Sequence, residues 1–379
     1  MAQILKIGIV GYPTYGGSGV VATELGKALA DKGHEIHFIT YSQPVRLGAM
    51  KKNIRYHEVN VSDYPLFLYP PYELVLASKM VDVVKYEKLD LLHVHYAIPH
   101  ASAAITAKQV LADEGINIPV ITTLHGTDIT LLGKDASFEP VISFAINKSD
   151  AVTAVSQSLR LDTYKLFGIN REIEVIPNFI NTEKFEFPDR ETIRKEYAPN
   201  GEKILVHISN FRPVKRILDV IEIFARIREE VDSKLILVGD GPDRSKAEAL
   251  CREKGMCEEV IFLGNVKNPT EALAVADLFL LPSESESFGL AALEAMACGV
   301  PVISTNTGGL PEVNRHGVTG MMSNVGDVED MAKNGKYLLS DEARLTKFGF
   351  KARERALEFG IEKILPLYEN LYNSVLQTV

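Results

Sequence analysis

The side chains of this sequence best suited to chemistry fall into two groups, one in each half of the chain. In PSESESFGLAALEAMACGVPV, Glu286 and Glu294 stand eight positions apart. Ser287, Phe288, Gly289 and Leu290 follow the first carboxylate and open an Ala/Leu-rich helix. A helical period turns Glu294 about 80° from Glu286, so the two carboxylates can accept hydroxyls on opposite sides of a ligand seated at the helix N-terminus. Free backbone amides at such a terminus bind phosphate. Upstream, NFRPVKR places Asn210, Arg212, Lys215 and Arg216 at a strand tip. Arginine grips phosphate oxygens bidentately, and lysine acts as a point charge. A diphosphate flanked by a sugar and a ribose, that is a nucleotide sugar, satisfies both groups. A glycosidase acid/base pair also uses two carboxylates, but it gives the amide cluster between them no task. Solvated surface charge is the plainer account of the basic run.

The second group lies earlier. Gly16-Gly17-Ser18-Gly19 follows an apolar run and opens a helix, as either a tight turn or an anion-facing loop. Its spacing is neither G-x-G-x-x-G nor that of a P-loop ending in Lys-Ser/Thr. His125-Gly126-Thr127-Asp128 comes directly after IPVITTL, where a strand-end histidine can bond a sugar hydroxyl or an acid. Asp128 can orient that ring or cap the next helix; a purely structural histidine is the alternative. His93 and His95 alternate within LDLLHVH, a metal-compatible spacing without a carboxylate or cysteine grouped nearby in sequence. Tyr96 and His100 follow the same strand and are better placed to meet a ligand.

These residues need a scaffold, and the hydrophobic pattern supplies one. Apolar runs at 4–10, 35–40, 89–95, 118–124, 151–155 and 173–177 alternate with helical stretches at 20–33, 73–87, 99–114, 139–148 and 156–167. The pattern restarts with strands at 203–209, 234–240, 260–264, 278–282 and 300–305, and with helices near 217–231, 243–255, 269–276 and 288–298. Apolar strands alternating with helices predict parallel sheets covered on both faces. The polar stretch NFINTEKFEFPDRETIRKEYAPNGEK is expected to be an irregular linker. We therefore expect two doubly wound α/β domains, 1–181 and 182–358, facing each other across a cleft. A C-terminal helix, about 359–379, is expected to pack back on the first. In such sheets ligands sit at the carboxyl ends of the strands. Most of the candidates above fall near such an end, as do the turn Gly239-Asp240-Gly241-Pro242 and Gly264-Asn265-Val266, whose backbone can read the edge of a base.

Bulk properties exclude several classes. Net charge is −9 with no basic block, which argues against nucleic acid as the main partner. No apolar run reaches the roughly 20 residues a membrane helix needs, and the first residues do not read as a signal peptide. Three unpatterned cysteines fit a reduced cytoplasm. Homo-oligomerisation stays open.

Taken together, GGSG, VTAVS, VIPNF, LVGDGP, FLGN, the Glu286–Glu294 element and GVPVISTNTGGLPEV resemble the retaining glycosyltransferases of family four. That resemblance implies the GT-B fold, two Rossmann-like domains across a cleft. YPTYGGSGVVATELG, HEIHFIT, YPPYELVLASK, HVHYAIPHA and TTLHGTDIT resemble the members that transfer GlcNAc from UDP-GlcNAc to L-malate at the start of bacillithiol biosynthesis. The resemblance implies a retaining, metal-independent hexosaminyltransferase without a cofactor. It implies Gly17 and Ser18 as loop contacts, Gly17 on the donor side and Ser18 on the acceptor side, and His125 beside the sugar. Arg212 and Lys215 fall on the diphosphate, Glu286 on the transferred sugar and Glu294 on the ribose. Asn210, Gly264, Asn265 and Ser287 to Leu290 complete the donor side, and Tyr96, Thr123 and Asn178 the acceptor side. The family's basic pair is usually five apart, whereas Arg212 and Lys215 are three apart, which leaves open which neighbour takes the main phosphate contact. Three other readings stand beside this one. A family member could use a sugar or lipid acceptor. A UDP-GlcNAc 2-epimerase shares the architecture, but the two-glutamate element argues against it. A nucleotide-sugar sensor would need neither His125 nor an acceptor pocket.

Overall fold

The computed structural model describes residues 3–48, 51–62, 68–185, 189–266 and 269–378. Contacts divide the chain into two units, Met1–Phe179 with Ile361–Val379, and Ile180–Gly360.

In the first unit the chain runs β1 (Lys6–Val10), α1 (Gly17–Asp31), β2 (Glu35–Thr40), β3 (Ile54–Glu58), α2 (Tyr72–Glu87) and β4 (Leu91–His95). It continues with α3 (Ser102–Asp113), β5 (Val120–Leu124), α4 (Glu139–Lys148), β6 (Ala151–Ala154), α5 (Gln157–Leu166) and β7 (Ile173–Val175). The seven strands lie in the order β3-β2-β1-β4-β5-β6-β7, and all their pairings are parallel. Helices cover both faces, so β4 and β5 are buried at every position, as their unbroken apolar and Thr/His sequences require. The winding direction reverses between β1 and β4, the place where such sheets leave a crevice at their carboxyl ends. Close approach fixes the loop after β1. A Cβ on Gly19 would lie 2.4 Å from the carbonyl oxygens of both Tyr12 and Thr14.

The second unit runs α6 (Arg190–Tyr197), β8 (Lys203–Ile208), α7 (Ile217–Arg228), β9 (Ser233–Val238), α8 (Arg244–Glu253), β10 (Val260–Gly264) and α9 (Thr270–Val275). Then come β11 (Leu278–Leu281), α10 (Leu290–Ala297), β12 (Val302–Thr305), α11 (Leu310–Val313), β13 (Gly320–Ser323), α12 (Val328–Leu339) and α13 (Glu342–Ala356). Its six parallel strands are ordered β10-β9-β8-β11-β12-β13, with the reversal between β8 and β11. Ile217, Val220, Phe224 and Ile227, on one helical face of α7, pack with Leu205, Leu235 and Leu237 in its core. The final helix, α14 (Ile361–Thr378), belongs to the first unit and buries Tyr368 and Tyr372 completely.

Three departures from expectation have simple causes. β3, IRYHE, contains no fully buried residue and so lacks the apolar signature of its neighbours. GMMS of β13 is a short edge strand. Within the stretch expected to be irregular, RETIRKEY forms α6, because its residues are mostly strong helix formers. Arg194 anchors that helix to the carbonyls of Val275 (2.6 Å) and Glu202 (3.0 Å) and to Asp277 Oδ2 (2.7 Å). Residues 186–188 of that stretch lie outside the described residues.

Candidate functional site

In the second unit, β8 and β11 are neighbours, so the loops leaving their carboxyl ends meet. The Glu284 amide donates to the Val214 carbonyl at 2.8 Å, tying the basic loop to the acidic one. Above this tie, Lys215 Nζ lies 2.5 Å from Glu286 Oε1, and Ser283 Oγ donates to the same oxygen at 2.9 Å. The Lys215 and Glu286 side chains are 22% and 12% exposed, so the pair is largely withdrawn from water. His207 sits beneath and is fully buried. Burial, with Lys215 adding to it, pushes its imidazole down to about 4 despite the hydrogen bond to the Leu280 carbonyl. Of the other cations, Arg216 is committed to Asp219 Oδ2 at 2.6 Å, whereas Arg212 is exposed ahead of the turn.

Glycines hold these loops where they are. A Cβ on Gly239 would lie 1.8 Å from the Ser209 carbonyl oxygen, and one on Gly241 2.0 Å from that of Asn210. Gly308 and Gly309 cross the acidic loop in the same way, 2.0 Å from Glu286 O and 2.3 Å from Ser287 O. The Gly309 amide also donates to Glu286 O at 2.8 Å. Gly289, with φ of 94°, turns the chain into α10. Phe288 is buried, its ring 5.6 Å edge-on from Phe359, and Glu294 is buried in the middle of α10. Gly264, at φ of 67°, ends β10 and leaves Asn265 exposed. The tip of β8 thus meets the loop before α10, while β10 closes the opposite edge of the sheet.

In the first unit the carboxyl ends of β4 and β5 carry a histidine-rich network. His95 Nδ1 and His125 Nε2 are 2.7 Å apart. His93 bonds the Tyr372 hydroxyl through Nδ1 and the Thr123 hydroxyl through Nε2, both at 2.7 Å. Thr123 then bonds Thr153 at 2.7 Å. Thr123, expected to face an acceptor, is therefore spent inside the sheet. His93 and His95, without partners in the local sequence, find theirs on β5 and α14. Burial drives His93 and His125 down to about 3 and His100 to about 4, so these rings are neutral near pH 7.

Neutrality fixes a tautomer. Among the described residues, the buried His95 Nε2 has no hydrogen-bond partner. Leaving it as a bare acceptor costs less than burying an orphan N–H. His95 Nδ1–H is then the donor to His125 Nε2, and the His125 proton resides on Nδ1.

Tyr96, at φ of 84°, turns its hydroxyl to Ser18 Oγ at 2.6 Å and joins the glycine loop to β4. Sequence reasoning gave Asp128 only a supporting role, yet it braces both strand ends. Its carboxylate accepts from the Ala97 amide at 2.8 Å and the Gly126 amide at 3.0 Å. Complete burial pushes it up to about 6 against those hydrogen bonds. Tyr12, whose ring lies 5.2 Å from that of Tyr96, was missed because nothing in its local sequence marks it. Asn178 is buried, and its Oδ1 has no partner among the described residues.

Two parallel α/β units, the second with a cationic and an acidic loop meeting at its switch point, are the architecture of GT-B glycosyltransferases. The chain belongs to the family-four glycosyltransferases. Residues 15–184 match the model described as Glycosyltransferase Family 4, and residues 189–355 that of Glycosyl transferases group 1. Over 375 residues, 98% of both chains, it is 52% identical to the N-acetyl-alpha-D-glucosaminyl L-malate synthase of Bacillus anthracis. Among solved structures it is similar to Anabaena Alr3699/HepE in complex with UDP and glucose, with a TM-score of 0.82 over 98% of this chain and 100% of that one at 20% identity. The Thermosynechococcus elongatus sucrose-phosphate synthase gives the same TM-score at 22% identity, over 99% of this chain and 100% of that one. These two likenesses are of fold.

Proposed function

We propose that this glycosyltransferase moves GlcNAc from UDP-GlcNAc to the hydroxyl of L-malate with retention, releasing UDP in the first step of bacillithiol biosynthesis. The observation that carries the proposal is the 52% identity, over 98% of both chains, to an enzyme named for that product. In this reading the second unit holds the donor. Lys215 and the exposed Arg212 take the diphosphate, together with the amides opening α10. Glu286 has both its bonds on Oε1, which leaves Oε2 to accept a hydroxyl of the transferred sugar. Glu294 takes the ribose, and Gly264 with Asn265 the base.

The first unit holds the acceptor. Gly17 and Ser18 offer amides and a hydroxyl at the N-terminus of α1, and Tyr96 steadies Ser18. His125 Nδ1–H bonds a sugar hydroxyl, while Asn178 offers an unpartnered amide oxygen. The C1–O bond to UDP breaks and a C1–O bond to malate forms on the same face. The malate hydroxyl proton passes to the departing diphosphate. Positive charge growing in importance as the diphosphate leaves comes from Lys215 and Arg212, so no metal is assigned to the transfer step. Among the described residues no helix is long and apolar enough to cross a membrane, and we place the enzyme in the cytoplasm.

The test supplies UDP-GlcNAc with L-malate, D-malate, succinate or a sugar phosphate and follows product by mass spectrometry. L-malate should react, succinate, lacking the hydroxyl, should give nothing, and D-malate should be poor. Transfer to the sugar phosphate with none to L-malate would overturn the acceptor and leave the family untouched. Transfer should also persist in EDTA; complete loss restored by Mg²⁺ or Mn²⁺ would count against the cationic account of the leaving group.

A further inference from the structure

At the other edge of the first unit's sheet, three side chains of metal-ligand type converge. His37 on β2 and His57 on β3 point from the same face of the sheet, and Glu87 comes from the last turn of α2. His37 Nδ1 and His57 Nε2 are 2.9 Å apart, and one ligand atom from each of His37, His57 and Glu87 lies within 4.8 Å of the other two. We propose that His37, His57 and Glu87 form a binding site for a zinc-class divalent cation that clamps β2, β3 and α2 together.

The donor set is two imidazole nitrogens and one carboxylate oxygen, which suits Zn²⁺ and its first-row neighbours and not Mg²⁺ or Ca²⁺. Bond lengths of about 2.0–2.1 Å in tetrahedral geometry separate two nitrogens by roughly 3.3 Å. The observed spacing needs to open by only a few tenths of an ångström. The far nitrogen of His37, Nε2, faces Glu35 Oε1 at 3.2 Å. A carboxylate bonded to the distal nitrogen is how metal-bound histidines are commonly oriented. Three protein ligands leave a fourth position for water, and His57 and Glu87 are only half-buried, so a cation can enter.

Arg55 is the competitor, with Nη1 2.8 Å from Glu87 Oε2 and Nε 3.3 Å from Glu35 Oε1. The cation would use the other oxygen of Glu87 or displace the guanidinium. β1 and β2 separate β3 from β4 in the sheet, so the clamp lies away from Tyr96 and His125 and takes no part in transfer.

The full-length protein, stripped with a chelator and dialysed, would be titrated with Zn²⁺ against a chromogenic chelator and with Co²⁺ while recording visible absorption. We expect one equivalent bound, a four-coordinate Co²⁺ spectrum and a Zn²⁺-dependent rise in melting temperature. Glu87→Gln, which keeps the side chain's shape, and His57→Ala should each weaken binding at least tenfold and abolish that rise. Glu35→Gln should weaken it by about tenfold through the His37 ring. Cys257→Ser and His316→Ala, which remove ligand-type groups elsewhere, should change nothing. Equal Zn²⁺ affinity in wild type and Glu87→Gln, or no saturable binding by the wild type at micromolar Zn²⁺, would overturn the proposal.

Discussion

Lys215→Met keeps the aliphatic stem and deletes the charge at the centre of the proposed donor loops, a cation 2.5 Å from Glu286. Two costs follow, and they can be measured separately. The first is catalytic. Losing one preorganised partner for charge developing in the transition state typically costs a factor of about 10²–10³ in kcat. The second is structural. Glu286 stays 12% exposed with only the Ser283 hydroxyl for company, and stranding a hydrogen-bonded group in this way costs about 1–3 kcal/mol. Glu286→Gln in the Lys215→Met background removes the stranded charge and keeps an oxygen for Ser283 Oγ. The double variant should therefore regain most of the lost stability, a coupling of about 1–2 kcal/mol, and none of the lost turnover. UDP release gives the rate, the urea midpoint the stability, and calorimetry the UDP affinity. Turnover of Lys215→Met within threefold of wild type would remove Lys215 from the leaving group. Turnover recovering together with stability in the double variant would show that the single variant failed only because its loop had collapsed.

Other perturbations read other parts of the site. Gly309→Ala should damage donor binding with no charge altered, because its Cβ would meet Ser287 O at 2.3 Å; UDP affinity by calorimetry should fall at least tenfold, and an unchanged value would contradict the loop packing. Tyr96→Phe removes the bond to Ser18 (2.6 Å), so the apparent KM for malate should rise severalfold while UDP affinity holds, the bond being worth about 1 kcal/mol. Melting temperature should be steady above pH 6.5 and fall steeply towards pH 4.5. His93 and His125 near 3, and His100 and His207 near 4, are depressed in the folded state, so their stabilisation is complete above the unfolded value and lost as pH falls. Each contributes at most about 1.4 kcal/mol per pH unit. Asp128, raised to about 6, acts in the opposite sense, its contribution being lost as pH rises through that value. A melting profile flat down to pH 4.5 would contradict the burial of the histidine network.

What the sequence made legible follows from where the information lies along the chain. Strands buried on both faces announce themselves as apolar runs, so KILVHI and EIHFIT were found to within a residue of β8 and β2. The half-exposed β3 was not, since IRYHE carries no such pattern. Candidate residues at strand ends were visible one at a time, but their pairing depends on strand order, which local periodicity does not encode. Lys215 and Glu286 are 71 residues apart and meet because β8 neighbours β11. His93 and Tyr372 are 279 residues apart and meet because α14 returns to the first unit. One pairing was within reach: Arg216 and Asp219 sit three apart at the start of a helix, the spacing at which side chains touch. That contact bears on the basic run, because it turns Arg216 to Asp219, while Lys215 pairs with Glu286 and Arg212 stays exposed. The glycine-packed turns carry the same lesson at the backbone level. Gly239 and Gly241 read as a turn, and Gly308 and Gly309 only as part of a family motif, yet each has a carbonyl oxygen of a neighbouring loop where its side chain would be. The charges of the proposed donor site can be read from residue types, whereas the positions of those charges depend on residues that have no side chain.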